Sequence, residues 1–221
     1  MRLALAALLL SAFAAPPALA GAWLRDHKTA FFAVGTTVRG NMEMLPEYET
    51  SFYAEYGLAP FVTLGLDVNE VRAKAGHALV FARLPLGPTD RRTRYAAQLG
   101  IGKHRWQDQW SPMYKFALAV GRGFESRWGN GWMGVETAYE MRVGLDDPAF
   151  KLDAVIGMSS GWKIRPLVKL ETAYVTDKPL AWAITPGVMF DMGKSTWVIG
   201  IEGRSAAQKT LGLSFGLWRN F

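Results

Sequence analysis

The chain contains no cysteine. Disulfides, thiolate metal sites, a cysteine nucleophile and a lipid anchor on an amino-terminal cysteine are therefore excluded. Histidine is scarce, limited to His27, His77 and His104. There is no His-x-x-x-His pair, no acidic loop of ligand spacing and no glycine-rich phosphate cradle, so neither a metal nor a cofactor is implied. The adjacent carboxylates Asp146 and Asp147 precede Pro148 and read as turn chemistry. Beyond residue 20 no apolar run approaches the roughly 20 residues of a helical membrane span. Basic residues outnumber acidic ones, 25 to 19, but they are scattered. Their longest cluster is Arg91, Arg92 and Arg94, with no nucleic-acid motif around it, and solvated loop charge explains the excess.

What is present begins with a leader. Met1 and Arg2 start the chain, residues 3–15 are apolar except Ser11, Pro16 and Pro17 break the run, and Ala18-Leu19-Ala20 supplies a small-x-small site. This is the three-part layout of a secretory signal peptide, too short to span a bilayer. Residues 1–20 are expected to be removed, leaving 21–221 as a single domain that starts at Gly21.

In that domain, runs of about ten residues alternate apolar with polar or small side chains, the period of a strand with two different faces. Twelve such runs can be traced. Val62, Leu64, Leu66 and Val68 oppose Thr63, Gly65, Asp67 and Asn69; Met133, Val135, Tyr139 and Met141 oppose Glu136, Glu140 and Arg142. The run at residues 76–84 is ambiguous, with apolar residues in both parities. The final run, 209–221, carries Leu211, Leu213, Phe215, Leu217 and Phe221 on one face and Thr210, Gly212, Ser214, Gly216 and Asn220 on the other.

That last run resembles the closing strand of Gram-negative outer-membrane β-barrels, in which a terminal Phe and alternating apolar positions form the assembly signal. Phe215, Leu217 and Phe221 match it; Arg219 departs, standing where the family has an apolar residue. The opening Gly21-Ala22-Trp23-Leu24 and the aromatic strand after it are similar to small, uncharacterised proteobacterial outer-membrane barrels. The resemblance implies location in the outer membrane, contact with lipid and lipopolysaccharide, and handling by the barrel-assembly machinery through the terminal strand.

On this basis we expect an all-β, antiparallel up-and-down transmembrane barrel of twelve strands, with ten as the alternative should the weak run near Gly76 fail. Tight turns are expected at 59–60, 163–165 and 193–195, outward connections at 40–49, 104–112, 145–148 and 177–179, and a long inward connection at 121–131. No connection is long enough to fold inside as a plug. Trp106, Trp132, Trp162, Trp182 and Trp218, near strand ends, are expected in the interfacial aromatic girdles. With apolar faces on lipid, Glu136, Glu140, Arg142, Lys151, Asp153, Lys169, Glu171, Glu202 and Arg204 map onto the lumen.

Two-signed lumen charge fits a passive, porin-like channel for small polar or charged solutes. It also fits a non-conducting monomeric barrel whose charges pair and whose outer loops bind a partner or lipopolysaccharide. A surface lipid hydrolase is the weakest reading. Outer-membrane hydrolases of similar size carry a His-x-Ser pair, whereas His77 is followed by Ala78-Leu79 and His104 by Arg105-Trp106. His27, in the segment Arg25-Asp26-His27-Lys28, reads as part of a solvated lead-in.

Overall fold

The structure, a computed structural model, describes residues 21–221 apart from 43, 72–74, 107 and 207; the expected leader lies outside the described residues. Strands run β1 (Ala30–Asn41), β2 (Met44–Ala59), β3 (Val62–Val71), β4 (Ala75–Pro85), β5 (Thr93–Trp106), β6 (Gln109–Ser126), β7 (Gly129–Arg142), β8 (Ala149–Met158), β9 (Ile164–Val175), β10 (Ala181–Met192), β11 (Ser195–Ser205) and β12 (Lys209–Asn220). Each pairs antiparallel with its sequence neighbours, and β12 returns to β1, closing a twelve-stranded barrel. The seam is in register from Phe31 opposite Asn220 to Gly40 opposite Leu211. It ends in a reciprocal pair: the Phe221 N–H donates to the Ala30 carbonyl at 2.9 Å and the Ala30 N–H to the Phe221 carbonyl at 3.2 Å. Closure leaves no unpaired edge, the condition for placing backbone in hydrocarbon.

The parity rule assigns the two faces. Phe52, Tyr56, Leu64, Val80, Leu99, Ile101, Phe116, Leu118, Leu152, Ile184, Ile199, Leu213 and Phe215 all project outward and stay exposed. An apolar exterior spread over every sector of a closed barrel would not be tolerated in water. It is the belt that a lipid-spanning barrel presents.

Three connections differ from expectation. The stretches 40–49 and 104–112 are mostly strand, with only short links between Asn41 and Met44 and between Trp106 and Gln109. Their polar residues keep the alternation: Glu47 and Glu49 face inward while Tyr48 and Thr50 face outward. The glycine-rich stretch 121–131 is likewise strand, turning only at Arg127-Trp128. The ambiguity at β4 also has a cause. Its outward Val80 and Leu84 meet lipid, but its inward Leu79 and Phe81 are buried with Met113 and Tyr53 in an apolar cluster inside the barrel.

A second internal cluster joins Trp132, Leu167, Met189 and Val198, with Trp23, Val155 and Trp218 packed against it. Two expected girdle residues are thereby corrected: Trp132 and Trp218 lie inside. Trp218 shares the parity of Gly212, Ser214 and Gly216, so closeness to a strand end did not turn it outward. Trp106, Trp162 and Trp182 are exposed, as are Trp110, Trp128 and Trp197. Trp106, Trp110 and Trp182 sit at the strand ends opposite the chain termini, while Trp128, Trp162 and Trp197 sit near the end that carries them.

Candidate functional site: the barrel interior

The interior is organised around the segment before β1. From the rim it turns into the barrel over Gly57 on β2, where the Lys28 N–H donates to the Gly57 carbonyl at 2.8 Å. A Cβ on Gly57 would stand 2.0 Å from the Asp26 carbonyl oxygen, so the entry point admits only glycine. Asp26, His27 and Lys28 are exposed at this rim, as a solvated lead-in would be, but Arg25 is buried. Ala22 is buried too, and Trp23 crosses to β6, its ring lying where a Gly121 side chain would be, 2.0 Å from an added Cβ. The amino-terminal segment therefore occupies part of the lumen.

Arg25 anchors it. Its Nε donates to Glu55 Oε2 at 2.5 Å, its backbone N–H to Thr63 Oγ1 at 2.8 Å and its Nη1 to Asn220 Oδ1 at 3.4 Å. The guanidinium lies 4.4 Å from the centroid of the Phe31 ring. Glu55 also accepts from Arg83 Nη1 and, at 2.6 Å, from the Tyr53 hydroxyl; Arg83 reaches Gln98 at 2.9 Å. Glu55 is wholly buried, which a carboxylate tolerates only when its oxygens are filled by charged and hydrogen-bonding partners.

A second network clasps the seam. Arg39 on β1 lies across Gly212 of β12 and reaches Glu202 on β11 at 2.7 Å, while its Nη2 meets Glu49 at 2.5 Å and its Nη1 Glu47 at 3.2 Å. Arg204 joins through Glu49 at 3.2 Å. The third network lies on the opposite wall. Glu140 takes Arg142 at 2.6 Å and Lys151 at 3.6 Å, and Glu136 takes Lys115 at 3.0 Å. Asp67 faces His77 at 3.2 Å.

Of the lumen residues expected from sequence, Glu140, Arg142 and Lys151 meet one another, Glu202 and Arg204 meet through Arg39 and Glu49, and Glu136 meets Lys115. Asp153 stands directly opposite both Glu136 and Glu171 and accepts the Thr172 N–H at 3.2 Å. Glu171 has no ion-pair partner among the described residues and is exposed to the lumen; Lys169 lies 5.6 Å from the centroid of the Trp218 ring. The same parity rule also reaches Arg39, Glu49, Glu55, Arg83 and Lys115. No periodicity could have found Arg25, because it precedes the first strand.

The burial is uneven. Arg39, Glu55, Arg83 and Glu140 are almost wholly covered, but Arg142 and Arg204 retain 33% side-chain exposure, Lys151 27% and Glu49 23%. These wetter groups lie toward the end opposite the termini, where they line a polar vestibule. Toward the termini the lumen is filled by residues 21–25 and the Trp132 cluster.

A closed antiparallel barrel with a lipid-facing belt and a charged interior defines an outer-membrane β-barrel protein. Solved structures carry the same fold: the KdgM porin matches at TM-score 0.61 and 10% identity, over 86% of this chain and 99% of that one. LpxR from Salmonella typhimurium matches at TM-score 0.53 and 5% identity, over 85% and 99%. No protein-family model matches the sequence, nor does any curated protein.

Proposed function

We propose that the protein is an outer-membrane channel for small polar or charged solutes, with a vestibule on one side and a closed constriction at the termini end. The observation that carries this reading is the wet, two-signed inner wall formed by Arg142, Lys151, Glu171, Glu49 and Arg204. Charges used only to brace the wall would be expected to lose their water, as Glu55 and Arg83 do; Arg142, Lys151, Glu49 and Arg204 stay wet although paired, Glu171 stays wet without an ion pair, and such charges set a field for ions and polar solutes. Fold similarity to a porin is consistent with this and says nothing of the solute. The channel works as a monomer, and its Phe215, Leu217 and Phe221 face is what the assembly machinery reads.

A second reading is supported by one observation: the amino-terminal segment and two apolar clusters pack the interior, as in a barrel built for rigidity. Against its partner-binding form, several connections at the vestibule end are short, such as the one between Trp106 and Gln109. The two readings separate in planar bilayers. A channel shows discrete conductance steps whose cation-to-anion preference moves toward anions in Glu171→Lys. Absence of steps in both native protein and a variant lacking residues 21–25 would sink the channel reading.

A further inference from the structure

We propose that the amino group freed when the leader is cut after Ala20 is the latch of the internal plug: the Gly21 ammonium docks on Glu136 and holds residues 21–25 across the lumen. The docking stands on its own geometry, and only its effect on conduction rests on the channel reading above.

Gly21 has φ +64°, and a Cβ there would stand 2.5 Å from Glu136 Oε2 and 2.6 Å from the Ala119 Cβ. One further C–C bond of about 1.5 Å puts that oxygen within about 4 Å of the Gly21 Cα, and the nitrogen, about 1.5 Å beyond it, within about 5.5 Å, a gap that a small shift of the freed chain end closes. The other oxygen of Glu136 is already held by Lys115 at 3.0 Å. Glu136 therefore offers one committed oxygen and one that faces the start of the mature chain.

The surroundings call for a cation at this position. Glu136, Asp153 and Glu171 stand side by side across β7, β8 and β9, each directly opposite the next. Like charges so placed repel. Among the described residues Lys115 forms the row's one ion pair; Lys151 lies near Asp153 and Glu171, and Arg83 near Glu136, without pairing with them. A further positive charge at Gly21 would relieve it, and the ammonium would in turn gain a carboxylate where water is scarce.

The segment is then tied at both ends, by Arg25 to Glu55 and Thr63 and by Gly21 to Glu136, with the Trp23 ring seated over Gly121 between them. In an uncut chain the nitrogen of Gly21 is a neutral amide and the latch has no charge. Removal of the leader thus adds a charged contact to a segment that Arg25 and Trp23 already seat in the lumen.

The test uses the protein expressed with its leader, purified folded, and characterised by intact mass. The folded protein is treated with acetic anhydride near neutral pH, and acetylation of the amino-terminal peptide is followed over time by mass spectrometry. The mature chain is expected to begin at Gly21. Its amine should react about tenfold or more slowly in folded native protein than in Glu136→Gln, the scale of one charge-assisted hydrogen bond. Unaltered heat-modifiable gel migration establishes that the variant is folded. A second variant with one serine inserted before Gly21 should also lose the protection. In bilayers, Glu136→Gln should raise the time spent open. Protection without conductance in any variant supports the latch and counts against the channel reading alone. A mature chain starting elsewhere, or equal acetylation rates in native and Glu136→Gln protein, would overturn the latch.

Discussion

Single residues here do unequal work, and burial separates them. Glu55 sits between Arg25 and Arg83 with the Tyr53 hydroxyl on the same oxygen as Arg83. Replacing Glu55 by Gln leaves two buried guanidinium groups without their counter-charge. We expect a loss of about 3–5 kcal/mol, the usual consequence of breaking a buried pair by removing one partner. The temperature at which the compact gel species converts to the unfolded one reports it. Arg219 is the contrasting case. It points outward in register with Phe32, its guanidinium 4.9 Å from the centroid of the Phe221 ring. At the edge of the lipid belt a long cationic side chain lies along apolar surface with its head toward water. Arg219→Leu should therefore leave assembly intact, measured as the fraction of heat-modifiable protein in membranes. The misplacement of Trp132 and Trp218 belongs at this scale as well. Distance from a strand end suggests a girdle, but parity decides the face, and Trp218 has the parity of the inner glycines and serine.

Strands and segments behave according to what covers each face. Leu99 on β5 is 63% exposed and Leu79 on the adjacent β4 is 1% exposed, although both are leucines in mid-strand. Leu99→Arg should destabilise insertion by about 2–4 kcal/mol if it lies near the bilayer midplane, read by folding titrations into vesicles. The ambiguity of β4 in the sequence reflects this packing. A lumen filled by side chains needs apolar residues on its inner face too, and alternation fades where both faces are apolar. The amino-terminal segment leans on β6 through the Trp23 ring. Gly121→Val fills the space of the Trp23 ring, so Trp23 should be displaced into water and the indole fluorescence should become more accessible to iodide. At the seam, Glu202→Gln removes the counter-charge that Arg39 reaches across β12. A decrease of about 1.5–3 kcal/mol is expected from loss of a charged hydrogen bond, partly offset by Glu47 and Glu49. The midpoint of urea unfolding measures it.

At the scale of the whole molecule the barrel is asymmetric along its axis, wet and charged at one end and packed at the other. That asymmetry, rather than the count of inner charges, bears on whether it conducts. Alternation with period two narrowed the strand count to twelve or ten and set the lipid and lumen faces and the inward placement of Glu136, Glu140, Glu202 and their neighbours, because on a closed sheet side-chain direction follows from position in the chain alone. Alternate leucines and phenylalanines in Lys209–Asn220, with Phe221 after them, marked the closing strand through their resemblance to outer-membrane barrels. Closure of the barrel decided the rest. It brought Arg39 to Glu202 across 163 residues and Arg25 to Asn220 across 195, and it created an interior that the non-periodic segment Gly21-Ala22-Trp23-Leu24-Arg25 could enter. Such pairings depend on which walls face one another across a lumen, a three-dimensional relation that no local pattern encodes.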